Sequence, residues 1–302
     1  RNMDKIKISA CVAVLGASLL MMPALSAQQS GITTDETGCR KQYNHAVNLY
    51  EKGMFDRART EFDAISAIRE DVMVDGYGVL CAIRMQSEGS EMMFDRYEER
   101  YPYSPLMPQL RTQLAYVKFD GRDYAGAAKL LSYVERNHID KRQLPEFLYK
   151  KAYCCYRTGN EAKAEQLFRE VDALKSSDYS GPARYAVGYI CYDGQRFPES
   201  VKWFEAAAKD PRFTEVANYY AVDCKFMLKD YRYVIDKGGA IIGTVSEERS
   251  RHLARIISES CLVLGDASKA REVYEKYLSK EEAQSRRDRF FAGSVMYAVH
   301  DW

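Results

Sequence analysis

Residues that commonly carry chemistry are present in this sequence, but their spacing matches no catalytic or metal-binding pattern. Neither an HExxH helix motif nor a GxSxG turn occurs, and a glycine-rich phosphate loop is missing. The pairs Glu98–Glu99 and Glu281–Glu282 are expected on solvated helix faces rather than in a catalytic pocket. The histidines are dispersed: His45, His138, His252 and His300. The sequence predicts a protein that is not an enzyme and binds no cofactor or metal.

The cysteines also lack the spacing of a chemical site. Cys11 lies near the N-terminus, and the seven others form no CxxC pair and no zinc-type cluster with histidine. Cys155, Cys191 and Cys261 instead recur at one position of a repeated pattern, which is typical of small buried side chains. We therefore predict reduced core cysteines. A single disulfide, for example one involving Cys39, remains an alternative.

The charge balance argues against a nucleic-acid-binding protein. The chain has 44 Lys and Arg against 43 Asp and Glu, which gives a formal net charge of +1. These charges are interspersed along the sequence, so they form no basic stripe of the kind that neutralises a phosphate backbone. Proteins and peptides are the more favoured class of partner.

The N-terminus has the order of features that marks an exported protein. Lys5 and Lys7 precede an apolar run over residues 8–22, and Pro23 and the small residues 24–27 follow. This order predicts a signal peptide over residues 1–27 that is cleaved after Ala27, followed by a short linker over residues 28–38. The apolar run is short for a bilayer span. An uncleaved membrane anchor stays a second interpretation.

A pattern of about 35 residues repeats along the rest of the chain. YKKAYCCY at 149–156 returns as YAVGYICY at 185–192, and YYAVDCKF at 219–226 is a weaker copy. Each unit has a small residue, an aromatic four residues later, a glycine-like turn, and then an alanine-like position followed by a large apolar residue. The small positions from the third unit onward are Ala115, Ala152, Gly188, Val222, Ser258 and Gly293. Apolar residues at helical spacing around these positions indicate paired amphipathic helices.

The unit resembles the tetratricopeptide repeat, a helix–turn–helix of about 34 residues. The resemblance covers residues 39–302, as about seven full units, of which the second is degenerate, and a truncated eighth. It implies an all-α solenoid of antiparallel helix hairpins wound as a right-handed superhelix. Two departures are Arg122 and Gln195, which stand where the turn glycine is expected.

In this register, the first helix of each unit presents three positions, spaced by four and then three residues, to the concave wall. Tyrosine is frequent there, and it suits recognition because it joins apolar area to a polar tip. Tyr153 and Tyr189 take the middle position, where contact with a partner is most expected, while the outer tyrosines also serve packing. The predicted binding residues are Tyr116, Phe119, Tyr149, Tyr153, Tyr156, Tyr185, Tyr189, Tyr192, Tyr219 and Phe226. Asp223, Arg255 and Glu259 take middle or outer positions in the units that follow.

The exported repeat array is similar to tetratricopeptide proteins of Gram-negative cell envelopes. That resemblance implies a non-catalytic scaffold in the periplasm or envelope that binds a peptide or a partner protein, within an envelope or outer-membrane complex. Glycan binding by the tyrosines is a weaker expectation, and the oligomeric state stays open. Two other functions remain: the extracytoplasmic sensor or adaptor part of a longer membrane-bound regulator, and an accessory module of an enzyme whose catalytic domain is absent from this chain.

Overall fold

The computed structural model describes residues 36–176, 178–278 and 286–298, and these residues form helices and connecting turns without a β-strand. The predicted signal peptide, residues 1–27, lies outside the described residues, as do residues 28–35 of the predicted linker. The first helix begins at Glu36, so the last three linker residues are helical. None of the described helices is both long and apolar enough to cross a membrane.

The described residues fall into two compact units, which divide after Ala164. The first unit contains helices in antiparallel pairs joined by short turns. In chain order they are α1 (Glu36–Glu51), α2 (Phe55–Ser66), α3 (Val72–Arg84), α4 (Ser90–Arg100), α5 (Met107–Asp120), α6 (Tyr124–Ser132) and α7 (Leu144–Arg157). Helix α8 (Glu161–Ala173) begins at the end of this unit and continues into the next.

The second unit continues the alternation of longer and shorter helices. Its regular helices are α9 (Ser180–Asp193), α10 (Phe197–Ala207), α11 (Thr214–Met227), α14 (Glu247–Val263), α15 (Ala267–Tyr277) and α16 (Arg286–Ala298). Between α11 and α14, the partner helix is irregular, because a π-helical turn over Val234–Gly238 separates the short helices α12 (Tyr231–Tyr233) and α13 (Gly239–Ile241).

Small residues allow the two helices of a pair to approach closely. In the second unit, a Cβ at Gly188 of α9 would lie 2.9 Å from the Phe204 ring of α10. Ser200 of α10 donates a hydrogen bond of 2.8 Å to the Gly188 carbonyl. Seven of the predicted small positions are buried, whereas Gly293 of α16 is exposed; the buried ones are Ala46, Cys81, Ala115, Ala152, Gly188, Val222 and Ser258. Stability therefore comes from stacking between helices that are too short to persist alone.

The turns between paired helices confirm the glycine pattern and explain its exceptions. Gly53, Gly159 and Gly265 have φ angles of 76°, 85° and 83°, in the left-handed region that glycine adopts at low cost. Arg122 and Gln195 take the same conformation, with φ of 64° and 57°. The turn geometry is thus kept where the glycine is lost, at the cost of local backbone strain.

The seven cysteines of the described residues are all free thiols. Six of them are buried, and Cys155 is half-buried. Burial raises the pKa of Cys81, Cys154 and Cys191 to about 12, which keeps these thiols protonated and unreactive near neutral pH. The prediction of small core cysteines is confirmed for these residues.

Candidate functional site

In the first unit, the middle tyrosine of the predicted binding surface is enclosed by other aromatic rings. The Tyr153 ring lies 5.5 Å from Phe119 and 5.3 Å from Tyr124, and only 3% of the residue is exposed. Arg157 donates a hydrogen bond of 3.3 Å to the Tyr153 hydroxyl. The expectation that Tyr153 is open to a partner is therefore wrong, because it fills the space between α5, α6 and its own helix α7.

Tyr149, the outer position one turn before, is also buried, at 2% exposure. Its ring stacks on that of Tyr153 at 6.4 Å, which agrees with a packing role and not with an open contact surface. Tyr156 is half-buried at the end of the same helix. The three tyrosines of α7 thus share one face, as the spacing predicted, but they differ in exposure.

A buried cation covers the two aromatic residues that were predicted on α5. The Lys150 Nζ lies 3.9 Å from the centroid of Tyr116 and 5.3 Å from that of Phe119. Lys150 is only 7% exposed, and its charge is paired with Glu146 at 3.0 Å. Cation–π contacts are stronger in such desolvated positions. The repeat pattern did not indicate this lysine, because its own position in the repeat is not a wall position.

The second unit contains a half-buried group of four tyrosines, Tyr189, Tyr192, Tyr219 and Tyr220, which we call the tyrosine cluster. Tyr220 lies at its centre, with ring centroids 5.7 Å from Tyr189, 5.3 Å from Tyr192 and 5.1 Å from Tyr219. Tyr220 was not among the predicted residues, and the only feature of the sequence that could have indicated it is the doublet Tyr219–Tyr220. All four members are partly accessible, so part of their aromatic area is available at this surface.

Two other predicted residues of the second unit lie beside the cluster. Tyr185, an outer position of α9, is 1% exposed and packs against Phe204 and Phe213. Of the two roles expected of an outer tyrosine, Tyr185 therefore serves packing and not partner contact, because three helices of the core surround it. Phe226 is half-buried, with its ring 6.2 Å from that of Tyr231.

A polar network runs along one side of the tyrosine cluster. The Tyr192 hydroxyl donates a hydrogen bond of 2.5 Å to Oδ2 of Asp223, and the Nε2 of His252 lies 2.7 Å from Oδ1. Arg255 approaches the other ring nitrogen of His252, with its Nη2 3.1 Å from Nδ1. Asp223 is only 6% exposed, so its carboxylate depends on these donors in place of water.

The network and the surrounding burial keep the cluster tyrosines protonated. Burial, with the Asp223 charge as the next cause, raises the pKa of Tyr219 to about 12. The same two causes, together with the hydrogen bond to Asp223, place the pKa of Tyr192 far above its usual range. Both hydroxyls therefore act as neutral hydrogen-bonding groups over the whole physiological pH range.

A cavity of about 630 Å³ lies in the first unit, between α1 and the start of α3. Tyr43, Ile65 and Val74 give it apolar walls, and Arg69 and Asp71, paired at 3.1 Å, lie at its polar side. This volume is in the range of a small-ligand or side-chain pocket. Arg69 and Asp71 neutralise each other, while Arg40 adds a positive charge to the lining.

Three side chains of the second unit approach one another as metal ligands would. The ligand atoms of Glu165, Cys191 and Glu199 lie within 4.8 Å of one another. However, Glu165 accepts hydrogen bonds from Arg169 at 2.6 Å and from Arg196 at 2.5 Å, and Glu199 pairs with the same two arginines. The carboxylates are thus already compensated and the thiol is protonated, so the group is an ion-pair network.

Comparison with known sequences identifies the repeat. The family model described as "Tetratricopeptide repeat" matches residues 112–179, which span α5 to the loop before α9. No curated protein sequence matches the chain.

One solved structure supports the fold over a longer part of the chain. The apo form of RapI superposes with a TM-score of 0.53 at 11% identity, over 87% of this chain and 84% of RapI. A signal transduction ATPase from Pyrococcus horikoshii, which has a tetratricopeptide repeat sensor, gives a TM-score of 0.45 at 11% identity, over 88% of this chain and 42% of the ATPase. The prediction of an all-α solenoid of helix hairpins is confirmed.

Proposed function

We propose that the chain, whose residues 112–179 match the tetratricopeptide repeat family model, is a non-catalytic protein-interaction scaffold that binds its partner through the tyrosine cluster of the second unit. Stacked helical repeats commonly use an extended surface for recognition. The ligand class is a peptide or a segment of a partner protein. This proposal narrows the ten predicted residues to Tyr189, Tyr192 and Tyr219 and adds Tyr220, because these half-buried rings contact one another at one surface.

The observation that supports this assignment is the exposure of the tyrosine cluster. Tyr189, Tyr192, Tyr219 and Tyr220 are half-buried, whereas Tyr149, Tyr153 and Tyr185 are sealed in the core. The cluster rings already brace one another at 5.1–6.2 Å, so little side-chain entropy is left to lose on binding. A rigid aromatic surface with hydroxyl groups suits apolar and hydrogen-bonding side chains of a peptide.

Site-specific photo-crosslinking tests this proposal in cells of the source organism. A benzoylphenylalanine at position 189 is expected to capture a discrete protein partner. The matched control places the same photo-reactive residue at Tyr103, a tyrosine that is 97% exposed and lies on a loop between helix pairs of the first unit. Equal capture at both positions, or capture at position 103 alone, would contradict the proposed surface. Loss of the captured band in a Tyr220→Ala background would support the cluster as the contact.

We also propose that the protein is exported and acts in the cell envelope. The support is the N-terminal order of Lys5 and Lys7, the apolar run 8–22 and the small residues 24–27. Cell fractionation and N-terminal sequencing test it. A mature chain that begins at Gln28 in the periplasmic fraction is the expected result, and a cytoplasmic protein that retains residues 1–27 would refute it.

A further inference from the structure

The hydrogen bonds around His252 define where its ring carries a proton. A guanidinium group can only donate, so the Nη2 of Arg255 at 3.1 Å requires the Nδ1 of His252 to be an acceptor. The Nε2, 2.7 Å from the Asp223 carboxylate, is then the donor. The ring is therefore a neutral imidazole with its proton on Nε2, and it lies between the negative Asp223 carboxylate and the positive Arg255 guanidinium.

Protonation of His252 at Nδ1 is incompatible with the present position of Arg255. The added proton would remove the acceptor and place two cations in contact at 3.1 Å. The imidazolium would keep its bond to Asp223, which is buried and gains from a full positive charge. Arg255 is the group that must move, because it is partly accessible and it pairs with no carboxylate among the described residues.

We propose that His252 holds Arg255 against the tyrosine cluster while the ring is neutral and releases it on protonation, so that the surface binds acidic partner segments more tightly in mild acid. This inference rests on the proposed function for the identity of the surface. Histidine is the side chain that commonly changes charge between pH 5 and 8, and its neighbours decide what the change does.

The ionisable groups that face His252 come from three helices and support this direction. On α11, Asp223 hydrogen-bonds the ring and the Tyr219 ring lies 5.8 Å away. On α9, Tyr192 acts through its hydrogen bond to the same carboxylate. On α14 itself, Arg249 is paired with Glu215 of α11 at 2.9 Å and therefore adds little net charge.

The other elements that pack against α14 contribute no second cation that would take the place of Arg255 beside His252. The charged residues of the irregular helical segment between α11 and α14 are exposed: Arg232, Asp236 and Lys237. On α15, Arg271 pairs with Glu275 within its own helix. On α14, Glu248 lies one turn before His252 and Glu259 lies one turn after Arg255, and neither forms an ion pair with Arg255 among the described residues. The released guanidinium is bound to no carboxylate in the present arrangement, and a partner carboxylate competes for it with Glu259 one turn away.

Nitrogen-15 NMR of histidine-labelled and arginine-labelled protein tests the coupling without any partner. At pH 8, the His252 ring is expected to show an unprotonated Nδ1 and a protonated Nε2. On lowering the pH, the side-chain signals of Arg255 should shift with the same midpoint as those of His252. A proton on Nδ1 at pH 8, or Arg255 signals that stay constant through the His252 midpoint, would overturn the inference.

A variant that cannot be protonated at position 252 distinguishes the effect of His252 on Arg255 from general effects of acid on the protein. In His252→Gln, the amide can accept from Arg255 and donate to Asp223, but it cannot take up a proton. The Arg255 signals of this variant should not change between pH 8 and pH 5. The matched control is His45→Gln, at an exposed histidine of α1 in the first unit, which should retain the wild-type response. An Arg255 response in His252→Gln equal to wild type would exclude His252 as its cause.

Binding of a fluorescent hexaglutamate peptide tests the ligand class. Wild-type protein is expected to bind the peptide about 1.5- to 5-fold more tightly at pH 5.5 than at pH 7.5, the range that one exposed ion pair provides. The His252→Gln variant should lose this pH dependence, while His45→Gln keeps it. Absence of peptide binding at both pH values, or equal pH dependence in His252→Gln, would refute the acidic-ligand assignment. Only the crosslinking at position 189 tests the scaffold function itself.

Discussion

The hydroxyl of Tyr192 and the carboxylate of Asp223, 31 residues apart in sequence, form a hydrogen bond of 2.5 Å. The bond joins α9 to α11, the first helices of neighbouring hairpins in the second unit. Both residues occupy positions that the repeat register assigns to the same wall. A polar contact of this kind fixes the relative position of two hairpins, whereas apolar packing alone tolerates small shifts.

Removal of this hydroxyl is expected to destabilise the second unit. In Tyr192→Phe, the buried Asp223 carboxylate keeps His252 as donor but loses its shortest hydrogen bond. Hydrogen bonds to charged groups contribute about 1.5–3 kcal/mol, so the free energy of unfolding should fall by about that amount. Urea denaturation followed by circular dichroism measures it.

Tyr189→Phe is the matched control for this measurement. Tyr189 belongs to the same tyrosine cluster, but its hydroxyl makes no hydrogen bond to the described residues. Its removal should change the free energy of unfolding by less than about 0.5 kcal/mol. Equal destabilisation by the two substitutions would show that the hydroxyl–carboxylate bond contributes nothing specific.

The register of the wall could be predicted from the sequence, but the exposure of its residues could not. Tyr153 and Tyr189 occupy the same repeat position, yet Tyr153 is 3% exposed and Tyr189 is half-buried. The difference arises from neighbours such as Phe119 and Tyr124, which enclose Tyr153 from a different hairpin. A repeat pattern gives the direction of a side chain, whereas burial depends on the specific rings contributed by adjacent units.

The polar network could not be predicted from the sequence, for a related reason. His252 is separated from Asp223 by 29 residues, and as a lone histidine it gave no motif. Only the stacking of α14 on α11 brings the two together. The turn positions were more predictable, because Arg122 and Gln195 stood in an otherwise glycine-rich alignment and the structure gives them the same left-handed angles.

The close approach of α9 and α10 makes Gly188→Ala destabilising. The new Cβ would lie 2.9–3.2 Å from atoms of the Phe204 ring, which is fully buried and cannot swing away. Overpacking of this kind costs about 1–3 kcal/mol and should outweigh the gain in helix propensity. Thermal denaturation should show a lower Tm. Gly239→Ala is the control, since a Cβ there meets no atom within 4 Å and should leave Tm unchanged or raise it. A Tm equal to wild type for Gly188→Ala would show that the helices separate at little cost.

Relief of backbone strain makes Gln195→Gly stabilising. Gln195 has a φ of 57° in the turn between α9 and α10, and its side chain is exposed. A left-handed conformation costs a non-glycine residue about 1–2 kcal/mol, and part of this is offset by the extra flexibility of glycine in the unfolded chain. A net gain of up to about 1 kcal/mol is expected in urea denaturation. Gln195→Ala, which keeps the Cβ, should give no such gain. Stabilisation by alanine as large as that by glycine would assign the effect to the side chain and not to the backbone.

Alkaline pH should destabilise the protein through its buried thiols. Burial raises the pKa of Cys81, Cys154 and Cys191 to about 12 in the folded chain, whereas an unfolded thiol ionises near pH 8.5. The folded state therefore binds more protons above pH 8.5, and the free energy of unfolding falls as the pH rises from there toward 12. Between pH 8 and 9.5 each thiol should contribute a loss of about 1 kcal/mol. Urea denaturation in the presence of a reductant measures the loss, and Cys191→Ala should reduce it by about one thiol's share. An unchanged pH dependence in that variant would mean that the Cys191 thiol is not protected by its burial.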